Sequence, residues 1–87
     1  MTIQIWKYPL EVTDGPQFVS LPRAAKVLFV REQGNQPTMW VEVDPDVATC
    51  DDRSFVVVGT GHSYTHNCHY IGSAFCGPFV WHVLEAK

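Results

Sequence analysis

Turn-forming residues recur along this chain at short, regular intervals. Pro9, Asp14-Gly15-Pro16, Pro22, Gly34-Asn35, Asp44-Pro45-Asp46, Gly59-Thr60-Gly61 and Gly77-Pro78 mark the breaks. Glycine frees the backbone and proline removes a hydrogen-bond donor, so neither continues a regular element well. Between the breaks lie runs 2–8, 17–21, 25–32, 38–43, 54–58, 69–75 and 79–85. They are rich in Val, Ile, Phe, Tyr and Trp, which suit a pleated, half-buried surface. No window carries a helical period; residues 21–26 allow one turn of helix at most. The predicted fold is all-β, a single small antiparallel sandwich or open barrel of about six to seven short strands. It occupies residues 1–87 as one domain.

Alternation assigns faces within each run, because successive side chains on a strand point to opposite sides. Ile3 and Ile5 share one face with Lys7, and Tyr8 lies on the other. Met39, Val41 and Val43 share one face, leaving Trp40 and Glu42 opposite. In 25–32 both faces look apolar, Val27 with Phe29 and Leu28 with Val30, which predicts a strand covered on both sides. Gly72 inside the 69–75 run marks a bulge or a close backbone contact. Residues 44–52 read as a polar loop and 59–68 as the longest loop.

Charge is scarce. Only 17% of residues are Asp, Glu, Lys or Arg, against about 25% in an average domain. Six basic and nine acidic residues give a formal net charge of -3. Polymeric nucleic acid is bound through basic patches, so a DNA- or RNA-polymer partner is not expected. A small anionic ligand needs only two or three well-placed cations. A chain this short buries only about 60–65% of its unfolded surface, which favours a homo-oligomer. No apolar run approaches the ~20 residues of a membrane helix, and MTIQIWKYPL lacks the pattern of a signal peptide. Three cysteines, an odd number, suit reduced thiols and a cytoplasmic location.

The order and spacing of several landmarks resemble a known family. They are Trp6-Lys7-Tyr8-Pro9-Leu10, Leu21-Pro22 with Ala25-Lys26-Val27-Leu28, and Met39-Trp40 with Val43-Asp44-Pro45. Arg53 with Phe55, Gly59-Thr60-Gly61-His62, Tyr70-Ile71-Gly72 and Phe79-Val80-Trp81-His82-Val83 complete the set. Together they resemble a widespread family of short phage and prophage proteins carried as a domain of unknown function. No single motif is specific; the resemblance spans nearly the whole chain. It extends to the phage anti-CBASS sponges, which bind cyclic dinucleotides of bacterial anti-phage systems without cleaving them. The resemblance implies a homo-oligomer such as a tetramer, acting in the cytoplasm of an infected bacterium on a signal such as cyclic GMP-AMP. Family members often carry Gly where this chain has Ala24, and Phe where it has Leu84. Ala24 is strained if its turn needs a positive φ.

Candidate ligand-binding residues follow from their chemistry. Gly61 with Thr60 and His62 offers hydroxyl and imidazole donors and backbone N–H groups that can cradle an anion. Base stacking on an aromatic ring contributes about 1–3 kcal/mol, which singles out Tyr8, Trp40 and Tyr64 as the exposed rings. Arg53 is the phosphate fork, with a surface pair to Asp51 or Asp52 as its plain alternative, and Lys7 is a reserve cation. His62, His66, Cys68, His69 and Cys76 are dense in metal-ligand types, yet only His62 and His66 have a zinc-like spacing, so no metal or cofactor is assigned. Two H-x-[ST] elements, G-x-S-x-G and H-E-x-x-H are all missing, so a binder is expected rather than an enzyme. The alternative is a small phage structural or host-protein-interaction module with no nucleotide ligand.

Overall fold

A computed structural model describes residues 2–65 and 67–87. Its strands are β1 (Gln4–Pro9), β2 (Gln17–Pro22), β3 (Lys26–Gln33), β4 (Gln36–Val43), β5 (Cys50–Gly59), β6 (Cys68–Cys76) and β7 (Phe79–Ala86). They form two open antiparallel sheets, β1-β4-β3 and β2-β5-β7-β6, in an all-β sandwich. Among the described residues there is no helix, and none long and apolar enough to cross a membrane.

The turn residues act as the sequence demands. Gly34 and Asn35 both have positive φ (61° and 62°) between Gln33 and Gln36, the two-residue type I′ link that suits a twisted hairpin. Gly77 at φ 58° followed by Pro78, whose ring holds a negative φ, joins Cys76 to Phe79 as a two-residue link of the type II′ pattern. At 22–25 the Ala25 N–H donates to the Pro22 carbonyl at 3.0 Å, and Ala24 has φ 66°. That is a type II turn, whose third position favours glycine.

The predicted polar loop 44–52 is shorter than its composition suggests. β5 starts at Cys50, because Cys50–Arg53 pair with Pro22–Val19 of β2. The partner strand overrides the weak strand preference of Asp51 and Asp52.

Two bulges correct the face assignments. β3 slips register between Val27 and Phe29, so Val27 opposes Val41, Phe29 opposes Trp40 and Val30 opposes Met39. Leu28 is the extra residue. Val27 and Val30 therefore turn inward together, and Phe29 turns outward. The strand is covered on one face, not two. β6 slips between Tyr70 and Gly72, with Ile71 as the extra residue. Both bulges lie where β3 and β6 approach each other across the two sheets. A Cβ on Gly72 would meet the Val30 Cβ at 3.2 Å, a contact tighter than ordinary packing, so a larger residue there would push Val30 aside by a few tenths of an ångström.

The core is Leu10, Leu21, Val30, Met39, Val41, Val43, Phe55, Val57, Ala74, Cys76 and Val83, packed between the sheets. β1 is oriented opposite to the expectation from its isoleucines. Trp6 and Tyr8 share the inner face with their register partners Val41 and Met39, while Ile5 is 59% exposed on the outer face. Burial raises the Tyr8 hydroxyl and the Cys76 thiol above their ordinary ionisation ranges. All three thiols are free.

Arg53 also points inward. Its Nε and Nη2 donate to the Glu85 carboxylate at 2.5 and 2.8 Å, and Nη1 donates to the Ala25 carbonyl at 2.7 Å. The partner is Glu85, not Asp51 or Asp52, because Arg53 and Glu85 both fall on the inner face beside Phe55. Hydrogen bonding to Glu85 raises the Arg53 guanidinium further above its ordinary value, against the opposing effect of burial.

Two outcomes test this packing. Ala24→Gly is expected to stabilise the fold by about 1 kcal/mol, read as a higher thermal midpoint, because it removes a Cβ from the left-handed region. An unchanged or lower midpoint would refute the strain. Arg53→Ala is expected to cost about 3 kcal/mol in denaturant unfolding, since it leaves Glu85 buried without its cation; a loss below about 1 kcal/mol would mean the pair behaves as a surface contact.

Candidate functional site

Strand parity sends the candidate residues to three places. Lys7 and Trp40 lie on the outer face of the β1-β4-β3 sheet. Thr60, Gly61, His62 and Tyr64 lie in the loop that leaves β5. Tyr8 and Arg53 lie on the inner faces of their sheets; Tyr8 is half-buried, and each Arg53 nitrogen is engaged by Glu85 or Ala25.

On the outer face of β1-β4-β3, Lys7, Trp40 and Phe29 are register partners across three strands. The Trp40 and Phe29 rings are stacked, 5.0 Å apart and 9° from parallel. The Arg31 guanidinium carbon lies 5.3 Å from the Phe29 ring centroid. One face of the indole is thus taken, and the other lies on the β1 side with Lys7. Among the described residues Lys7, Lys26 and Arg31 form no ion pair, whereas Arg23 pairs with Asp51 and Arg53 with Glu85. Half of the chain's six cations therefore sit unpaired on one sheet.

The loop is built differently. The His62 N–H donates to the Gly59 carbonyl at 3.0 Å and Gly61 has φ 90°, so 59–62 is a type II turn. The His62 N–H closes the turn and is unavailable to an anion. Side chains supply the donors instead. A Cβ on Gly59 would lie 3.1 Å from the His62 ring and 3.2 Å from Trp81 Cζ3. Gly59 therefore lets His62 fold back over the end of β5, where Trp81 meets the core.

Two recesses open beside this loop. One of about 520 Å³ is lined by Asp14–Pro16, Val56–Val58 and His62–Thr65. Another of about 220 Å³ lies over the outer face of the β2-β5-β7-β6 sheet, lined by Thr60, His62, Tyr64, Tyr70, His82 and Leu84 among others. In it His82 Nε2 contacts the Thr60 hydroxyl at 2.8 Å. His82 Nδ1 lies 2.8 Å from the Tyr70 hydroxyl and 3.2 Å from that of Ser73. The Tyr70 and Ser73 hydroxyls also touch each other.

The sequence conceals these partners. Phe29 and Arg31 join Trp40 only because the Leu28 bulge resets β3. Tyr70 and Ser73 are three apart and would face opposite sides of a regular strand; the Ile71 bulge puts both on His82. Val80-Trp81-His82 does carry one readable sign, a polar His on a face otherwise apolar.

The metal reading rested partly on His66, which lies outside the described residues. Among the described residues no group of three His, Cys, Asp or Glu side chains is placed to hold a metal ion.

A family comparison covers the whole chain, residues 1–87. The chain belongs to DUF7352, a domain of unknown function. No curated protein and no solved structure matches it. The DUF7352 chain therefore carries its functional information in its own geometry.

Gly59→Ala is expected to displace His62 and Trp81. Its measurable sign is a changed tryptophan emission together with broadened His62 and His82 imidazole signals in NMR spectra. Spectra identical to wild type would show that the loop does not depend on this contact.

Proposed function

We propose that this DUF7352 chain captures a small, planar, anionic ligand of the cyclic dinucleotide class and releases it intact. The observation that carries the reading is the pairing of a partly exposed indole, stacked on Phe29, with Lys7, Lys26 and Arg31, which form no ion pair among the described residues, on the same sheet. A base stacks on any aromatic face, and scattered cations suit two phosphates better than a long polyanion. The loop of Thr60, His62 and Tyr64 supplies further donors and a second ring.

The two outer faces of a sandwich point away from each other. A ligand that meets both Trp40 and the loop therefore lies between chains, with Trp40 from one subunit and Thr60 from the next. This is a homo-oligomer of the kind that the family resemblance implies. Its setting would be the cytoplasm of a phage-infected bacterium, where it would sequester an immune signal. No step breaks a bond, and mass action suffices.

Phe18 and Phe75, 70% and 72% exposed on the outer face of β2-β5-β7-β6, favour a second reading, a protein-interaction module. Labelled cyclic dinucleotides, mixed with the protein and then released by heating, separate the two. Capture is expected in the nanomolar range with ligand recovered whole. Trp40→Ala is expected to lose about 1–3 kcal/mol of affinity, and Lys7→Ala to lose less and to flatten the salt dependence. No binding to any cyclic dinucleotide would remove the reading, and a cleaved product would make the protein an enzyme.

A further inference from the structure

We infer that His82, Tyr70, Ser73 and Thr60 form a binding site for a phosphoryl oxygen on the outer face of the β2-β5-β7-β6 sheet. The inference rests on the capture reading and names the groups that would hold the phosphodiester.

Hydrogen counting carries the argument. A neutral imidazole has one N–H and one lone pair, and each hydroxyl brings one hydrogen. If Nε2 carries the proton, it donates to Thr60. Nδ1 then accepts from one of the Tyr70–Ser73 pair, and those two hydroxyls link to each other. The Thr60 hydrogen is left over. If Nδ1 carries the proton, Thr60 donates to Nε2 and Nδ1 donates to the Tyr70–Ser73 pair. One hydrogen of that pair is left over. Either tautomer leaves one hydroxyl hydrogen without an acceptor inside the cluster. The imidazolium leaves two. In every protonation state the cluster keeps at least one hydroxyl hydrogen free to donate to an oxygen bound beside it.

Its surroundings select the acceptor. The recess is about 220 Å³, and among the described residues no carboxylate lines it; Ser73 lies at its edge, in a neighbouring recess lined by Arg31, Glu32 and Phe75. Leu84, 1% exposed, and Val58 give it an apolar floor. Tyr64 and Tyr70 stand at its margin as exposed rings. A spare hydroxyl hydrogen over an apolar floor suits an anionic oxygen, because charge-assisted hydrogen bonds are stronger where water is displaced. A phosphoryl oxygen attached to a planar group satisfies both the donors and the rings. Arg53 takes no part, since it lies on the inner face of the sheet with each of its three nitrogens donating to Glu85 or Ala25.

The site is tested with two probes and two variants. Tyr70→Phe keeps the ring beside Leu84 and removes only the hydroxyl; His82→Gln keeps a polar side chain on the same face. The probes are a labelled cyclic dinucleotide, read by titration, and inorganic phosphate, read from the His82 imidazole NMR signals against chloride of equal ionic strength. Wild type is expected to bind the dinucleotide and each variant to bind about tenfold more weakly, as for loss of one hydrogen bond to a charged group. Phosphate is expected to shift the His82 signals in wild type and not in Tyr70→Phe. If wild type binds the dinucleotide and both variants bind equally well, the site is refuted and capture stands. If no dinucleotide binds but phosphate shifts His82 in a Tyr70-dependent way, the site stands and capture falls. If neither probe acts, both fall.

Discussion

The close approach of Val30 to Gly72 is the constraint on which the rest of the structure depends. It is where β3 of one sheet meets β6 of the other, and a Cβ at residue 72 would crowd Val30 there. Each strand carries a bulge beside this contact, at Leu28 and at Ile71. A bulge adds twist and bends its strand, which lets two short sheets close on a shared core. It also changes which side chains look outward. Both candidate surfaces follow from that change. Without the slip at Leu28, Phe29 would not stack on Trp40. Without the slip at Ile71, Tyr70 and Ser73 could not meet at His82.

Charge is distributed as sparely as it is supplied. One cation, Arg53, is held inside by Glu85 and completes the end of the core near Ala25. Three others, Lys7, Lys26 and Arg31, share one outer sheet face. The opposite outer face, from Ser54 and Val56 through Val58, His82 and Val80 to Phe75, carries no formal charge in its central register rows. The same short chain thus presents one face marked by three cations, with Glu42 opposite Lys26, and one marked by hydroxyls and rings. Such asymmetry lets two faces of one sequence take complementary parts in an assembly.

The fold was largely legible in the sequence because turns announce themselves chemically. Gly34-Asn35, Gly77-Pro78 and Gly59-Thr60-Gly61 stand where the chain reverses, and the apolar runs between them are the strands. The strain at Ala24 was legible as a condition, and its φ of 66° meets that condition. The site was legible only in part. Trp40 and Lys7 are outward by parity, and the loop residues lie at a recess. Tyr8 was misplaced because β1 puts its isoleucines toward solvent and its large rings toward Met39 and Val41. A single strand does not declare which of two half-apolar faces is buried. Arg53 was misplaced because Glu85 lies far away in sequence, and only the register of β5 on β7 brings them together. The bulge at Leu28 was the deepest omission, since one extra residue in β3 leaves no compositional trace yet reverses every face beyond it. The bulge in β6 was signalled by Gly72, but not the meeting of Tyr70 and Ser73 that it causes.

Trp81 belongs to two neighbourhoods. It packs against the core on one side and stacks on Phe79 at 5.7 Å on another, with its Cζ3 close against the backbone of Gly59. The loop and the interior therefore share a wall. Whatever settles the loop also settles a ring that the folded core needs, and whatever loosens the core loosens the loop. Loop and core are coupled through one side chain. A substitution far inside the sandwich would then register first as a changed loop conformation at its rim, before any loss of the fold itself.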